Sequence, residues 1–297
     1  RDALRPFFSS ICTMAHSLMS AASAKYWPIG SCIYKELFLT FCEDDLSYSA
    51  HLFDKFVMHL SGANNHEKDF ALNILNDLIE VRKGDLPQFE GFYQGTLDHL
   101  RQLNEKQIRL FYTVTSKISF SNSDISQNIQ IQFINIIRKQ LCNPHMSYKK
   151  IGIIGMGCIL RNIARKIDDE KEFQQHIKVI PKIISTALEQ GCKRPSELYF
   201  LFEEIIDIIC DLKDELPPIM KTILKEALEN SKSSLIVPKS ELKFHMTSMD
   251  FESQLLLDDP SISSVVNILG SLLVEEVTAV SWLYTSIMIH SINLRLD

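Results

Sequence analysis

Residues 143–167 read NPHMSYKKIGIIGMGCILRNIARKI, a polar break that displays two lysines with an apolar, glycine-dotted run directly behind them. Asn143 and Pro144 break the chain, because the residue before a proline resists the helical region. Behind them Ile153, Met156, Leu160, Ile163 and Ile167 recur at intervals of three and four, the spacing of one helical face. Ser147 can cap that helix, which places Lys149 in its first turn. The stretch also belongs to a window of unusual charge. From Ile125 through Ile167 there is no Asp or Glu, while Arg138, Lys139, Lys149, Lys150, Arg161, Arg165 and Lys166 bring seven positive charges. The whole chain is at −6, so the residues outside the window carry about −13. So local a sign asymmetry marks a candidate site.

The same three-and-four spacing continues on both sides. Upstream, Ile129, Phe133, Ile136, Ile137 and Leu141 share a face, and a polar loop, SFSNSDIS, separates them from a helix through Ile108, Phe111, Val114 and Ile118. Asn104 precedes that helix as an N-cap, with Gln107 at N3 placed to reach back. Earlier helices carry Phe70, Ile74, Leu78 and Val81 (ended by Gly84 and Pro87), then Leu52, Phe53, Phe56, Val57 and Leu60, then Ile33, Leu37, Phe38 and Phe41. The first carries Ile11, Met14, Ala15, Leu18, Met19 and Ala22 and is expected to be stopped by Pro28 and Gly30. Downstream, helices are expected over 177–188, 197–212 and 218–228.

Helices of ordinary length joined by short breaks, paired about every 40 residues, predict an all-α fold, an α-solenoid of HEAT-like antiparallel helix pairs. A globular helical array is the alternative. The expected organisation is a helical-repeat solenoid over 1–230, an irregular connector with one short strand over 231–260, and a further helix of the same or the next unit within 261–297.

Composition agrees. A chain of 297 residues with 45% hydrophobic residues can bury a sizeable core, and ten glycines and ten prolines are too few for a many-turned sandwich or barrel. The seven cysteines, an odd and scattered set without a C-x-x-C pair, favour a reducing compartment. The longest apolar run, Ile151–Leu160, is too short for the roughly 20 residues that cross a bilayer, so no membrane is expected. The start, RDALRPFFSS, is unlike a signal peptide, and the chain reads as an internal piece of a longer protein.

Catalytic motifs are not indicated. Gly152, Gly155 and Gly157 run in the reverse order of the dinucleotide fingerprint, with no strand before them, and read instead as places where a neighbouring helix comes close. The nine histidines are never three or four apart, so no helix offers a metal-ligand pair, and neither metal nor cofactor is expected. Glu203, Asp207 and Asp211 at spacing four read as a solvated face. That leaves the basic window. Either it is merely solvated, or its cations attract phosphates within the ~8 Å that salt allows, which would make nucleic-acid backbone, without base readout, the partner.

Tyr148, Lys149, Lys150 and the following IGIIG of Ile151–Gly155 resemble a segment of the Fanconi anaemia D2 family, in which a lysine, one residue and then IGIIG follow one another. The likeness continues through IRKQL at Ile137–Leu141 and through LRQLNEKQIRLFYTVTSKISFS at Leu100–Ser121, similar to the family pattern LDxIxxxQIRxLFxxLSxLAFS. It runs almost continuously over 11–164 and more loosely into LIVPKSELKF. The resemblance implies a nuclear DNA-repair scaffold, not an enzyme, built as an α-solenoid. It further implies pairing with an I-group paralogue, closure around double-stranded DNA at interstrand crosslinks, and monoubiquitination by a separate ligase and conjugating enzyme. Lys149 occupies the acceptor position. Lys150 stands where the vertebrate pattern has an apolar residue, so either amine is open to the conjugating enzyme, with the motif favouring Lys149. Attack on a ubiquitin thioester requires an accessible amine, so Lys149 is expected to be exposed. Arg138, Lys139, Lys150, Arg161, Arg165 and Lys166 are the candidates for DNA or partner contact. A general helical-repeat adaptor that binds no DNA, and the I-group paralogue itself, are the competing readings.

Overall fold

A computed structural model describes residues 2–42, 45–82, 86, 88–121, 126–165, 176–192, 195–212, 216–234, 292 and 295. The helical spacing is realised as eleven α-helices with no strand among the described residues. After a 3-10 turn at Asp2–Phe7 come α1 (Phe8–Met19), α2 (Trp27–Phe41), α3 (Leu46–Ser61), α4 (Asn65–Arg82), α5 (Phe89–Leu97) and α6 (Glu105–Ser119). They are followed by α7 (Ser126–Leu141), α8 (Met146–Ala164), α9 (Val179–Ser185), α10 (Pro195–Leu212) and α11 (Pro218–Ser234). Without a break, α9 widens into a π turn over Thr186–Gly191. The connector and last helix expected beyond Ser234 lie outside the described residues, apart from Ile292 and Arg295.

Each helix packs on those one or two positions along the chain. The even-numbered helices form an unbroken series, α2 on α4, α4 on α6, α6 on α8 and α8 on α10, while α3 packs on α5 and α7 on α6 and α8. Such nearest-neighbour stacking is solenoid-like, and one continuous apolar core runs through it from Phe8 to Leu224. None of the helices described is long and apolar enough to cross a membrane.

Local chemistry sets several boundaries. The α6 cap forms as the spacing required: Asn104 Oδ1 accepts from the Gln107 N–H at 3.0 Å and Gln107 Oε1 accepts from the Asn104 N–H at 3.0 Å. Three expectations are corrected. Pro28 does not stop the first helix, which already ends at Met19; it lies in the first turn of α2, where a missing N–H costs nothing. Met14 and Val81, assigned to inward faces, are 49% and 56% exposed, and the buried faces run instead through Cys12, Ala15 and Met19 in α1 and through Leu75, Leu78 and Ile79 in α4. Ser147 is not the cap of α8: His145 is, its N–H held by the Asn143 side chain at 2.9 Å.

Candidate functional site

Ile151 to Leu160 are buried on every side, which is what an all-round apolar helix requires, and this puts α8 at the centre of its neighbours. Two of its glycines mark how close those neighbours come. A Cβ on Gly152 would lie 2.9 Å from the Leu141 amide nitrogen, inside the last turn of α7. One on Gly157 would lie 2.9 Å from Cδ of Glu204 on α10. The glycines are thus spacers for packing.

Lys149 opens this helix, and the expectation that it is exposed is overturned. Its side chain is 9% exposed; the ammonium lies 2.9 Å from Glu197 Oε2 and donates to the Gly191 carbonyl. Glu197, 1% exposed, stands in the first turn of α10, and Gly191 ends the π turn, so the amine is roofed by chain from more than 40 residues downstream. Lys150, the next residue, is exposed and lies with Nζ 5.0 Å from the centre of the Phe200 ring.

At the other end of α8, Arg161 is also tied down. It donates to Glu204 Oε1 at 2.5 Å and to Asp211 Oδ2 at 3.0 Å. The Glu204 carboxylate, 3% exposed, takes two further bonds from Arg109 on α6, at 2.6 and 2.8 Å. A buried carboxylate is tolerated when its lone pairs meet guanidinium donors in this way. The hydrogen bond to Glu204, opposed by burial, raises the pKa of Arg109 further above its ordinary value.

The absence of acid from residues 125–167 therefore does not survive folding. Glu197, Glu204 and Asp211, spaced by seven on α10, form a stripe that meets the cations of α8. The spacing of seven was the signal that could have located them; the spacing of four among Glu203, Asp207 and Asp211 drew attention to the outer flank. On that flank Asp207 and Asp211 are exposed and Glu203 is half-buried. Burial first, and repulsion second, from Asp207 on Glu203 and from Glu204 on Asp207, push the Glu203 and Asp207 carboxyls above their ordinary values.

The remaining candidates fall at separate places. Lys139 and Arg165 are exposed, Arg138 is half-buried with a buried Nε that has no hydrogen-bond partner among the described residues, and Lys166 lies outside those residues. Lys150 and Arg165 sit fifteen residues apart near opposite ends of α8, about 22 Å at 1.5 Å per residue, more than two screening lengths in physiological salt. Beside Lys150 a cleft of about 270 Å³ opens between the start of α6, the start of α8 and α10, with Leu103, Ile108, Ile151 and Ile154 beneath and Arg101 and Lys150 at its edge.

A buried polar cluster elsewhere escaped the sequence, because its members are distant in the chain. His16 Nδ1 lies 3.1 Å from His59 Nε2, and His59 Nδ1 lies 2.8 Å from Glu67 Oε2, joining α1, α3 and α4. Among the described residues no group of three or more His, Cys, Asp or Glu side chains could hold a metal ion.

Residues 2–244 match the family described as Fanconi anaemia protein FancD2 nuclease. The chain is 29% identical over 166 residues to the Fanconi anemia group D2 protein of Gallus gallus, an alignment covering 55% of this chain and 11% of that protein. It is 30% identical over 156 residues to the Fanconi anemia group D2 protein homologs of Mus musculus and Rattus norvegicus, covering 51% of this chain and 10% of each. The match thus spans about a tenth of the length of these relatives.

Proposed function

The chain belongs to the Fanconi anaemia FancD2 family, a DNA-repair family, and from that premise we propose that it is a stretch of a nuclear scaffold whose Lys149 accepts one ubiquitin. In this reading the scaffold pairs with the I-group paralogue and holds double-stranded DNA at interstrand crosslinks. The chain is the substrate of the modification; the catalytic groups belong to a separate ligase and conjugating enzyme. The observation that carries the reading is the lysine pair at the first turn of α8, directly ahead of the IGIIG of Ile151–Gly155. Among the described residues, Lys139, Lys150 and Arg165 are the exposed cations of the window that remain for phosphates.

Two measurements test this. In a reconstituted ubiquitin transfer Lys149→Arg loses most modification and Lys150→Arg keeps it; the reverse result moves the acceptor to Lys150. For DNA, three phosphate contacts give a slope near −2.7 in log affinity against log salt, so affinity for plain duplex falls roughly 40-fold between about 50 and 200 mM salt. The competing reading is a helical-repeat adaptor without DNA binding. It is favoured by the pairing of Lys149 and Arg161 with acids of α10, and a duplex affinity that is absent or flat with salt would select it.

A further inference from the structure

An amine that is to be acylated has to meet solvent, yet Lys149 is held from two sides by groups that are themselves buried, the Glu197 carboxylate at 2.9 Å and the Gly191 carbonyl. The holders come from the closing residue of the π turn and from the first turn of α10. The π turn is seated on the end of α7, where a Cβ on Gly191 would lie 3.0 Å from the Leu141 carbonyl oxygen. Turns of this kind are rare and recur at functional sites. Lys150, one residue on, has no such roof.

We infer that Glu197 and the Gly191 carbonyl form a clasp that has to open before Lys149 is modified, and that modification then prevents the clasp from closing. The biological meaning rests on the acceptor reading above; the clasp itself is a property of the folded chain. On opening, the ammonium gives one proton to solvent. The neutral nitrogen then bonds to the C-terminal carbonyl carbon of ubiquitin, the carbon–sulfur bond of the thioester breaks, and the second proton from nitrogen leaves with the sulfur as the free thiol. The cation has become an amide. Reclosure would have to admit a folded protein on the same nitrogen and would lack the ion pair between Lys149 and Glu197, so the open arrangement is retained.

Cys192, 1% exposed and adjacent to Gly191, reports the state of the clasp, with exposed Cys142 as its internal reference. Burial pushes the Cys192 thiol up to about 12, which further slows its reaction while the clasp is shut. The experiment treats the whole chain with acetyl N-hydroxysuccinimide and, separately, with iodoacetamide, and reads each site by peptide mass spectrometry. In the unaltered chain Lys149 is acetylated at least roughly tenfold more slowly than Lys150, the protection expected of a site that reacts only through local opening. Glu197→Gln, which keeps the shape and removes the charge, brings Lys149 close to the Lys150 rate in a chain that still unfolds cooperatively, at a melting temperature lowered by the broken pair. Lys149→Gln, a neutral amide in place of the cation, raises Cys192 alkylation relative to Cys142. Equal acetylation of the two lysines in the unaltered chain overturns the clasp, as does a folded Glu197→Gln chain with Lys149 still slow, or no gain at Cys192 in Lys149→Gln. Should Glu197→Gln fail to fold, the unaltered chain and Lys149→Gln decide alone. None of these readouts involves ubiquitin, so a failure of ubiquitin transfer to Lys149 would remove the acceptor reading and leave the clasp standing.

Discussion

At His59 the ring has no exposed surface, and its Nδ1 lies 2.8 Å from Glu67 Oε2. With that nitrogen donating, Nε2 is left to accept, and His16 Nδ1 at 3.1 Å and the Tyr34 hydroxyl at 3.4 Å supply donors. Burial holds His59 below its ordinary 6.5 despite the carboxylate beside it, with His16 and Lys55 pressing the same way. The unfolded chain therefore takes up this proton first, and stability falls as pH drops past about 6.5. Burial pushes Glu67 up, but hydrogen bonds from Asn64, His59 and Ser20 outweigh it and leave the carboxyl below its ordinary 4.5, so its contribution is lost at still lower pH. Glu203 and Asp207, raised by burial, act in the opposite sense and gain stability as they protonate. The expected outcome is a melting temperature that falls from about pH 7.5 to about pH 5.5. Subtracting the same series for His59→Gln isolates the histidine, and a variant with the same pH slope as the unaltered chain would refute the assignment. None of this was legible in the spacing of the histidines, since His16 and His59 meet across 43 residues.

Helix α8 has its glycines where neighbouring elements press on it. Replacing an exposed helical glycine by alanine stabilises by up to about 1 kcal/mol, because the alanine has less backbone freedom to lose. At Gly152 the new methyl would meet the backbone of α7 at Leu141 and Gln140, and Gln140 is itself bonded to the Tyr112 hydroxyl. Overpacking of that kind costs about 1–3 kcal/mol. Gly152→Ala therefore destabilises by roughly 1–2 kcal/mol net, whereas Gly91→Ala in α5, where a Cβ meets nothing within 4 Å, stabilises by about 0.5 kcal/mol. Urea unfolding of the pair measures both, and a neutral or stabilising Gly152→Ala would show that α7 yields. That these glycines allow close approach was readable from the chain; which helix approaches each was not.

Across the molecule, the series α2, α4, α6, α8, α10 makes stability a matter of neighbours. Removing everything after Arg165 uncovers the side of α8 that meets α10, where Leu201, Phe202, Ile205 and Ile208 are each 1% exposed or less. It also leaves Lys149 without Glu197. The shortened chain is expected to melt at a lower temperature, with amide hydrogen exchange rising in α8 while α1–α4, whose packing partners among the described helices all precede Arg165, keep their protection. A uniform rise through all helices would mean a single cooperative unit instead. The same series explains why the acid-free window misleads: it is a property of one segment, and the neighbour two helices along supplies what that segment lacks.

The chain by itself determined the all-α class, most helix bounds, the Asn104–Gln107 cap and the apolar faces of α6 and α7, because each depends on contacts within four residues and on a period of 3.6, whereas α8 is buried on every side and not on one face. It also carried the family likeness around Lys149. Only the tertiary structure decided that Lys149 is roofed while Lys150 is open, that Arg161 and Arg109 share Glu204, and that the candidate cations stand apart. Those outcomes are ion pairs between residues 43 to 95 positions apart, and a charge in a one-dimensional sequence does not specify which distant helix will bring its partner.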